Sequence, residues 1–341
     1  MKKKLTSTIL ATSMVVTSFM TAPVMAEETL DLSDKKVGIC IYTFNDNFMT
    51  LYRTELERYL VEEVGFSAEN VVVQDSQNDM ATQSNQIDAF IADGVDLLII
   101  NPTNVAASGE TVDKAVEAGI PLIFINREPD EQEEARWAEN DWDVTYIGSD
   151  ARQSGTMQGE IIIDVGLEKL DMNGNGVVDY VMIQGDPENV DTKYRTEFSI
   201  KALEDEGWEV NCLDSQVGMF LQDQGQTLVA NSLSQYGDEI EVIFCNNDAM
   251  ALGAMQSISA AGRTVNEDIY LVGVDALQEA LESVKAGTLT GTVFNDHFAQ
   301  SHTVAEACLN YLNGTGNEHK ILCDYAKVTS DNVDDILAMV Q

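Results

Sequence analysis

Residues 96–127 read DLLIINPTNVAASGETVDKAVEAGIPLIFINR, and the order of patterns within them decides the fold class. The run 96–100 is a short, continuously apolar strand. Residues 110–118 carry a helical pattern that Gly119 closes. Residues 122–125 are a second apolar strand. Strand, helix and strand in this order make a βαβ unit. The unit recurs outward in both directions. Upstream lie a strand at 36–42, a helix at 49–64, a strand at 71–73 and a helix at 81–92. The helix at 49–64 repeats Met49, Tyr52, Leu56, Tyr59 and Leu60 at helical spacing and stops at Gly65. Downstream, residues 127–141 hold seven acids without periodicity and read as a connecting loop into a second domain. Strands at 144–147, 177–183, 209–212, 241–244, 269–274, 289–293 and 320–328 follow. They alternate with helices at 153–167, 191–206, 222–234, 249–261, 277–285, 298–312 and 333–340. The strands are apolar on both sides, as parallel sheets covered by helices require. The expected fold is α/β with parallel sheets in two similar domains.

Composition narrows the function. The 341 residues include 58 Asp and Glu against 19 Lys and Arg, a net charge of −39. Phosphate recognition needs a basic surface, so most nucleic-acid roles are ruled out and no nucleic-acid partner is expected, and anionic lipid is disfavoured. Residues 1–26 read as a secretory signal: Lys2, Lys3 and Lys4, a short apolar run at 9–20, then Val24-Met25-Ala26 at the cleavage position. No Cys flanks that position, so a lipid anchor is not indicated. An exported protein is expected, in the periplasm or at the extracellular face of the envelope. Five scattered cysteines do not make a disulfide framework. Cys40 and Cys245 sit in apolar runs and read as buried hydrophobes. A single bridge, Cys308–Cys323, stays open in an oxidising compartment.

The residues just past the strands share one chemistry. Six strands run into Asn45-Asp46-Asn47-Phe48, Asn126-Arg127, Gly185-Asp186 with Asp191 and Arg195, Asn246-Asn247-Asp248, Asp275, and Asn295-Asp296. Ligands bind beyond the carboxyl ends of parallel strands. Helix capping explains Asp248 and accounts poorly for Arg127 and Arg195. Carboxylates, amides and guanidinium forks together suit sugar hydroxyls, which donate and accept at once. Phe48 offers a face for the C–H side of a pyranose. No phosphate-binding Gly loop, nucleophile elbow or zinc motif occurs. Paired carboxylates leave an exported sugar-processing enzyme as the alternative.

Four runs carry a resemblance: Tyr42-Thr43-Phe44-Asn45-Asp46-Asn47-Phe48-Met49, Asp75-Ser76-Gln77-Asn78-Asp79, Asn246-Asn247-Asp248-Ala249-Met250-Ala251 and Gly273-Val274-Asp275-Ala276-Leu277. Together they closely resemble the periplasmic glucose/galactose-binding proteins, type I sugar-binding proteins of ABC importers. The resemblance implies two Rossmann-like lobes with parallel sheets joined by a three-strand hinge. The crossovers would fall near 147–150, 294–297 and 325–328. The first lobe would then be 30–148 plus 297–325 and the second 149–296 plus 326–341. It implies a monomer that closes on glucose or galactose and meets an ABC permease, with a chemoreceptor as a further partner. The implied contacts are Asp46, Phe48, Asn126 and Arg127 from the first lobe. Asp191, Arg195, Asn247 and Asp275 come from the second, with Asn295 near a crossover. Two positions depart: Asn189 stands where the family has His, and Phe220 where it has a stacking Trp.

The run Asp171-Met172-Asn173-Gly174-Asn175-Gly176-Val177-Val178-Asp179 has calcium-ligand types at positions 1, 3, 5 and 9. Gly176 fills the sharp-turn position and the Val177 carbonyl the next. Met182 replaces the closing Glu, so this is no complete EF-hand. The resembled family takes that carboxylate from elsewhere, and the matching residue is Glu241. One structural Ca²⁺ on Asp171, Asn173, Asn175, Val177, Asp179 and Glu241 is therefore expected. A repressor effector domain shares the fold class, but the signal and the lack of a basic helix-turn-helix before Lys36 argue against it.

Overall fold

A computed structural model describes residues 30–340, so the reading of residues 1–26 as a signal lies outside the described residues. The first part of the chain runs β1 (Val37–Ile41), α1 (Asn47–Arg58), β2 (Val71–Asp75), α2 (Met80–Ala92), β3 (Leu97–Ile100), α3 (Ser108–Ala118), β4 (Leu122–Ile125), α4 (Glu131–Glu139) and β5 (Val144–Gly148). Then come α5 (Ala151–Val165), α6 (Leu167–Leu170), β6 (Val177–Gln184), α7 (Val190–Asp205), β7 (Glu209–Val217), α8 (Gln222–Tyr236), β8 (Val242–Cys245) and α9 (Asp248–Ala260). The chain continues through β9 (Tyr270–Val272), α10 (Gln278–Ala286), β10 (Thr292–Asn295), α11 (His297–Leu312), β11 (Lys320–Leu322), β12 (Tyr325–Val328) and α12 (Val333–Val340).

Two parallel sheets result. One has the order β11-β5-β4-β3-β1-β2, the other β7-β6-β8-β9. Strands β1, β3, β4, β5 and β8 are buried along their whole length, which is why they carry no polar alternation. β10 lies beside the end of β9 through bridges Val272 to Gly291 and Asp275 to Phe294, and it pairs with β12. That pair is antiparallel, a departure from the all-parallel expectation.

The chain passes between the sheets three times: after β5, after β10, and between β11 and β12. Helix α5 leaves the first sheet and packs on α7, and α11 returns to pack on α1. The α5–α7 contact is backbone to backbone. A Cβ on Gly155 would lie 2.8 Å from the Tyr194 carbonyl oxygen, and one on Gly159 2.5 Å from that of Ser199. Two α/β lobes therefore share three connecting segments.

Two expectations change, and one open alternative is closed. Residues 127–141 are not a loop, because α4 fills most of them. Asp130 caps that helix by accepting the N–H groups of Gln132 and Glu133, and Glu131, Glu133 and Glu134 suit the positive end of the helix dipole. One buried side chain, Trp137, anchors the helix on Phe124 with ring centroids 5.6 Å apart. A single aromatic anchor leaves no apolar period to read, and the helix belongs to the first lobe. The strand expected at 320–328 is two strands, β11 in the first sheet and β12 against β10. The third passage thus falls at Cys323 and Asp324, just ahead of the expected position. All five cysteines are free, so the Cys308–Cys323 bridge is not formed. Cys40 and Cys245 are buried as expected, and burial pushes the Cys40 thiol up to about 12.

Candidate functional site

The carboxyl ends of strands from both sheets open on one pocket. All eleven residues singled out from the sequence line it: Asp46, Phe48, Asn126 and Arg127 from one side, Asn189, Asp191, Arg195, Phe220, Asn247 and Asp275 from the other, and Asn295 at the second passage. The pocket encloses about 320 Å³ free of protein atoms, mouth included. That is the small end of ligand pockets, roughly 300–1,000 Å³. Sequence reading missed two lining residues, Tyr42 and Met49. Both flank the run that carries Asp46 and Phe48, so their position just past β1 was the available signal.

Capping and lining are not alternatives here. Asp46 caps α1 by accepting the Met49 N–H at 2.7 Å, while its second oxygen accepts the Tyr42 hydroxyl at 2.6 Å. Asn189 caps α7 and Asn247 caps α9 in the same way. Asp248, the residue capping was expected to explain, is not a cap. Its carboxylate is fully buried and accepts the Thr292 hydroxyl at 2.7 Å and the Leu277 N–H at 2.9 Å.

Each side of the pocket carries one buried guanidinium. Arg127 donates to the Thr103 carbonyl at 3.1 Å and to Asp186 at 3.2 Å, with its plane 3.7 Å from the Tyr42 ring centroid. Arg195 donates to the Asn246 carbonyl at 2.9 Å, to Asp191 at 3.1 Å and to the Tyr325 hydroxyl at 3.2 Å, and lies 3.9 Å from Asp275. Burial pushes the Asp191 and Asp275 carboxyls up, against the pull of Arg195. Burial also works against the charge on Arg195, but Tyr325, Asp191 and Asp275 outweigh it and raise its pKa. Each guanidinium thus has a carboxylate partner inside the protein, and with Asp46 and Asp275 the carboxylates outnumber the guanidiniums, so a neutral ligand suits the pocket better than an anion. Among the described residues, the Nε atoms of both Arg127 and Arg195 are buried without a hydrogen-bond partner. A buried orphan donor is costly, and a ligand oxygen would satisfy it.

The aromatic faces are set by packing. Phe48 meets Tyr52 and His297 edge-on, with centroids 6.0 and 6.5 Å away. Phe220 stands over Gly185, where a Cβ would come 2.1 Å from its ring. Among the described residues Asn126, at φ +61, donates no side-chain bond; its Oδ1 accepts from Asn101 at 3.2 Å.

The acidic loop lies at the opposite, amino-terminal end of β6 and β8. Asp171 accepts the N–H groups of Asn175 and Gly176, and Glu241 those of Met172 and Asp179. Asn173 and Asn175 both turn their amides to Asp179, at 3.1 and 3.3 Å. Among the described residues no three His, Cys, Asp or Glu side chains are placed as a ready metal cluster. The candidate ligands are nonetheless all oxygens, five of them on residues 171–179 and the sixth on Glu241 just before β8, the chemistry of a hard-cation site. Each Asp171 oxygen accepts one N–H and keeps a lone pair, whereas Asp179 accepts both Asn amides on one oxygen and the Asn211 amide at 2.7 Å on the other, so the Asn amides would have to turn their oxygens to a cation.

Residues 37–316 match the family model described as a periplasmic binding protein domain. The D-galactose/methyl-galactoside binding periplasmic protein MglB of Haemophilus influenzae is 31% identical, over 89% of this chain and 92% of that one. A putative rhizopine-binding protein of Rhizobium meliloti is 33% identical, over 87% and 91%. An ABC transporter solute-binding protein of Bacillus halodurans, solved with bound myo-inositol, superposes with a TM-score of 0.77 at 28% identity, over 90% of this chain and 99% of that one. Two α/β lobes on three connecting segments, with polar strand ends converging between them, have the same explanation as these matches: the chain belongs to the periplasmic binding protein family, whose members bind solutes and are not enzymes.

Proposed function

We propose that this chain is an exported sugar carrier that closes its two lobes on one glucose or galactose and delivers it to an ABC permease. One observation carries the reading. Two buried arginines, one on each side, line the same pocket; each is paired with a carboxylate, and each has a buried Nε without a protein partner among the described residues. A neutral ring with several hydroxyls answers both donors and the facing acceptors. The relative that binds D-galactose and the neighbour that holds myo-inositol support a polyhydroxylated ring. The closed form is what a permease would recognise, and a chemoreceptor would read the same face. Isothermal titration against glucose, galactose, ribose and myo-inositol tests the proposal. Stoichiometric binding of glucose or galactose, tighter than the others, is the expected result. Preference for myo-inositol would favour the second reading, an inositol carrier, which the Bacillus halodurans neighbour supports.

We also propose one structural Ca²⁺, held by Asp171, Asn173, Asn175, the Val177 carbonyl, Asp179 and Glu241. Its role would be to tie the turn before β6 to the start of β8, away from the sugar.

A further inference from the structure

We propose that the cleft carries an annex that holds a ring-sized aglycone, so that glycosides are ligands as well as the free sugar; this rests on the sugar-binding reading above. A second hollow of about 590 Å³, mouth included, adjoins the pocket and shares Tyr42, Asp46, Arg127 and Phe220 with it. Thr43, Asn45 and Asn78 make a polar wall from the first lobe, and Met219 and Leu221 an apolar one from the second, with Asp186 beside them held by Arg127.

The sugar pocket makes no use of Met219, yet the backbone is strained to present it. Met219 and Phe220 are consecutive residues in the left-handed region, at φ +56 and +61. Residues with large side chains rarely adopt it, because Cβ crowds the following carbonyl. Across the hollow, Asn78 also stands in the left-handed region at φ +53, which Asn tolerates, and its neighbour Gln77 at φ +55 does so at more cost. Strain of this kind persists where the surroundings over-determine it, and it gathers at ligand sites. Met219 is also among the few large apolar side chains left exposed, at 40%. An apolar wall of thioether and aromatic facing an amide wall matches a ring with a flat apolar face and a polar edge, such as a second pyranose or an aryl group. A methyl group would be too small to span between them.

Titration of the full-length mature protein with glucose, galactose, their α- and β-phenyl glycosides and one disaccharide tests this. One anomer of phenyl glycoside should bind within about threefold of the free sugar. Met219→Gly, which removes the side chain and suits a positive φ, should weaken that glycoside about tenfold and the free sugar less than about twofold. Met219→Asn, also tolerant of this backbone, should act in the same direction. A disaccharide that binds like the phenyl glycoside assigns the annex to a second sugar; one that does not assigns it to an aryl ring. The annex is refuted if both anomers of every glycoside bind more than about a hundredfold weaker than the free sugar. Equal weakening of sugar and glycoside by Met219→Gly refutes it too. If neither sugar nor glycoside binds the wild type, the sugar-binding reading itself falls, and the annex with it.

Discussion

Arg127 and Asp186 form a buried ion pair at 3.2 Å, one residue past β4 of the first sheet and the other past β6 of the second. The pair bridges the two lobes next to the sugar pocket, with Arg127 lying on the Tyr42 ring. Both side chains are more than nine-tenths buried, so water and salt screen the attraction little.

The first prediction concerns that bridge. In Asp186→Ala the closed form would bury an Arg127 charge with one partner fewer, a cost of several kcal/mol for a desolvated pair. The cost falls on the closed state, because opening returns the guanidinium to water. Sugar affinity should drop by roughly 10- to 100-fold, chiefly through faster dissociation. Stopped-flow release of sugar measures it, and an unchanged dissociation rate would show that the bridge does not hold the lobes.

A second prediction follows from Asp248. Burial pushes its carboxyl from 3.8 up to about 6, even though Thr292 and the Leu277 N–H pull it down. Its folded pKa therefore exceeds its unfolded one, and the folded state holds the proton more tightly. Between about pH 4 and 6 the native state binds more protons than the unfolded chain, so stability from this group falls as pH rises. The full loss, about 3 kcal/mol for a shift of about two pH units, is reached above about pH 6. Urea unfolding of wild type and Asp248→Asn at pH 4, 5, 6 and 7 isolates the group. The difference in stability between the two should shift with pH over this window and level off above it; a difference constant from pH 4 to 7 would contradict the account.

The site was more legible in the sequence than some of the scaffold. Polar residues just past apolar strands are a local signal, and Asp46, Asn126, Arg127, Asp191, Arg195, Asn247, Asp275 and Asn295 among them line one pocket, while Asn189 and Phe220 are found only through the resemblance. Tyr42 escaped because it is an aromatic at the end of an apolar strand, and its role appears only when its hydroxyl reaches Asp46. Helix α4 escaped because a cap, three acids and one Trp make a helix without an apolar stripe. The split of 320–328 depends on which strand each half finds as a neighbour, β5 for Ile321 and β10 for Ala326. That is tertiary information, and the local pattern of the segment does not contain it. The bridge from Arg127 to Asp186 spans 59 positions and is likewise invisible to spacing.

The calcium proposal makes a third prediction. A cation that binds the folded loop and not the unfolded chain stabilises by mass action, by about 2.7 kcal/mol at a hundred times its dissociation constant. Chelation should lower the melting temperature and leave sugar affinity nearly unchanged, because the loop lies at the far end of β6 from the pocket. Glu241→Ala also removes the acceptor for the Met172 and Asp179 N–H groups, so it should lose stability outright. The diagnostic reading is the calcium dependence: the variant's melting curve should be the same with and without chelator. A wild-type curve that ignores the chelator would remove calcium from this loop.

The fourth prediction separates capping from binding at Asp46 and Asp191. Asn is as good a helix cap as Asp. Asp46→Asn can keep the bond from the Met49 N–H and present its amide to the Tyr42 hydroxyl, so α1 should stay capped. What it loses is a charged acceptor facing the pocket. Hydrogen bonds to charged groups are worth roughly 1.5–3 kcal/mol, or about 10- to 150-fold in affinity. Asp46→Asn should therefore weaken sugar binding by at least about tenfold with the melting temperature of the free protein almost unmoved. Asp191 does not cap α7, since Asn189 does. Asp191→Ala should weaken binding over the same range, and it also takes from Arg195 the partner at 3.1 Å. Arg195 keeps the Asn246 carbonyl and Tyr325, so the fold should survive. Calorimetry and thermal melts on the two variants give the answer together. Wild-type affinity in both, with lowered melting temperatures, would mean that these carboxylates serve the scaffold and that the sugar lies elsewhere.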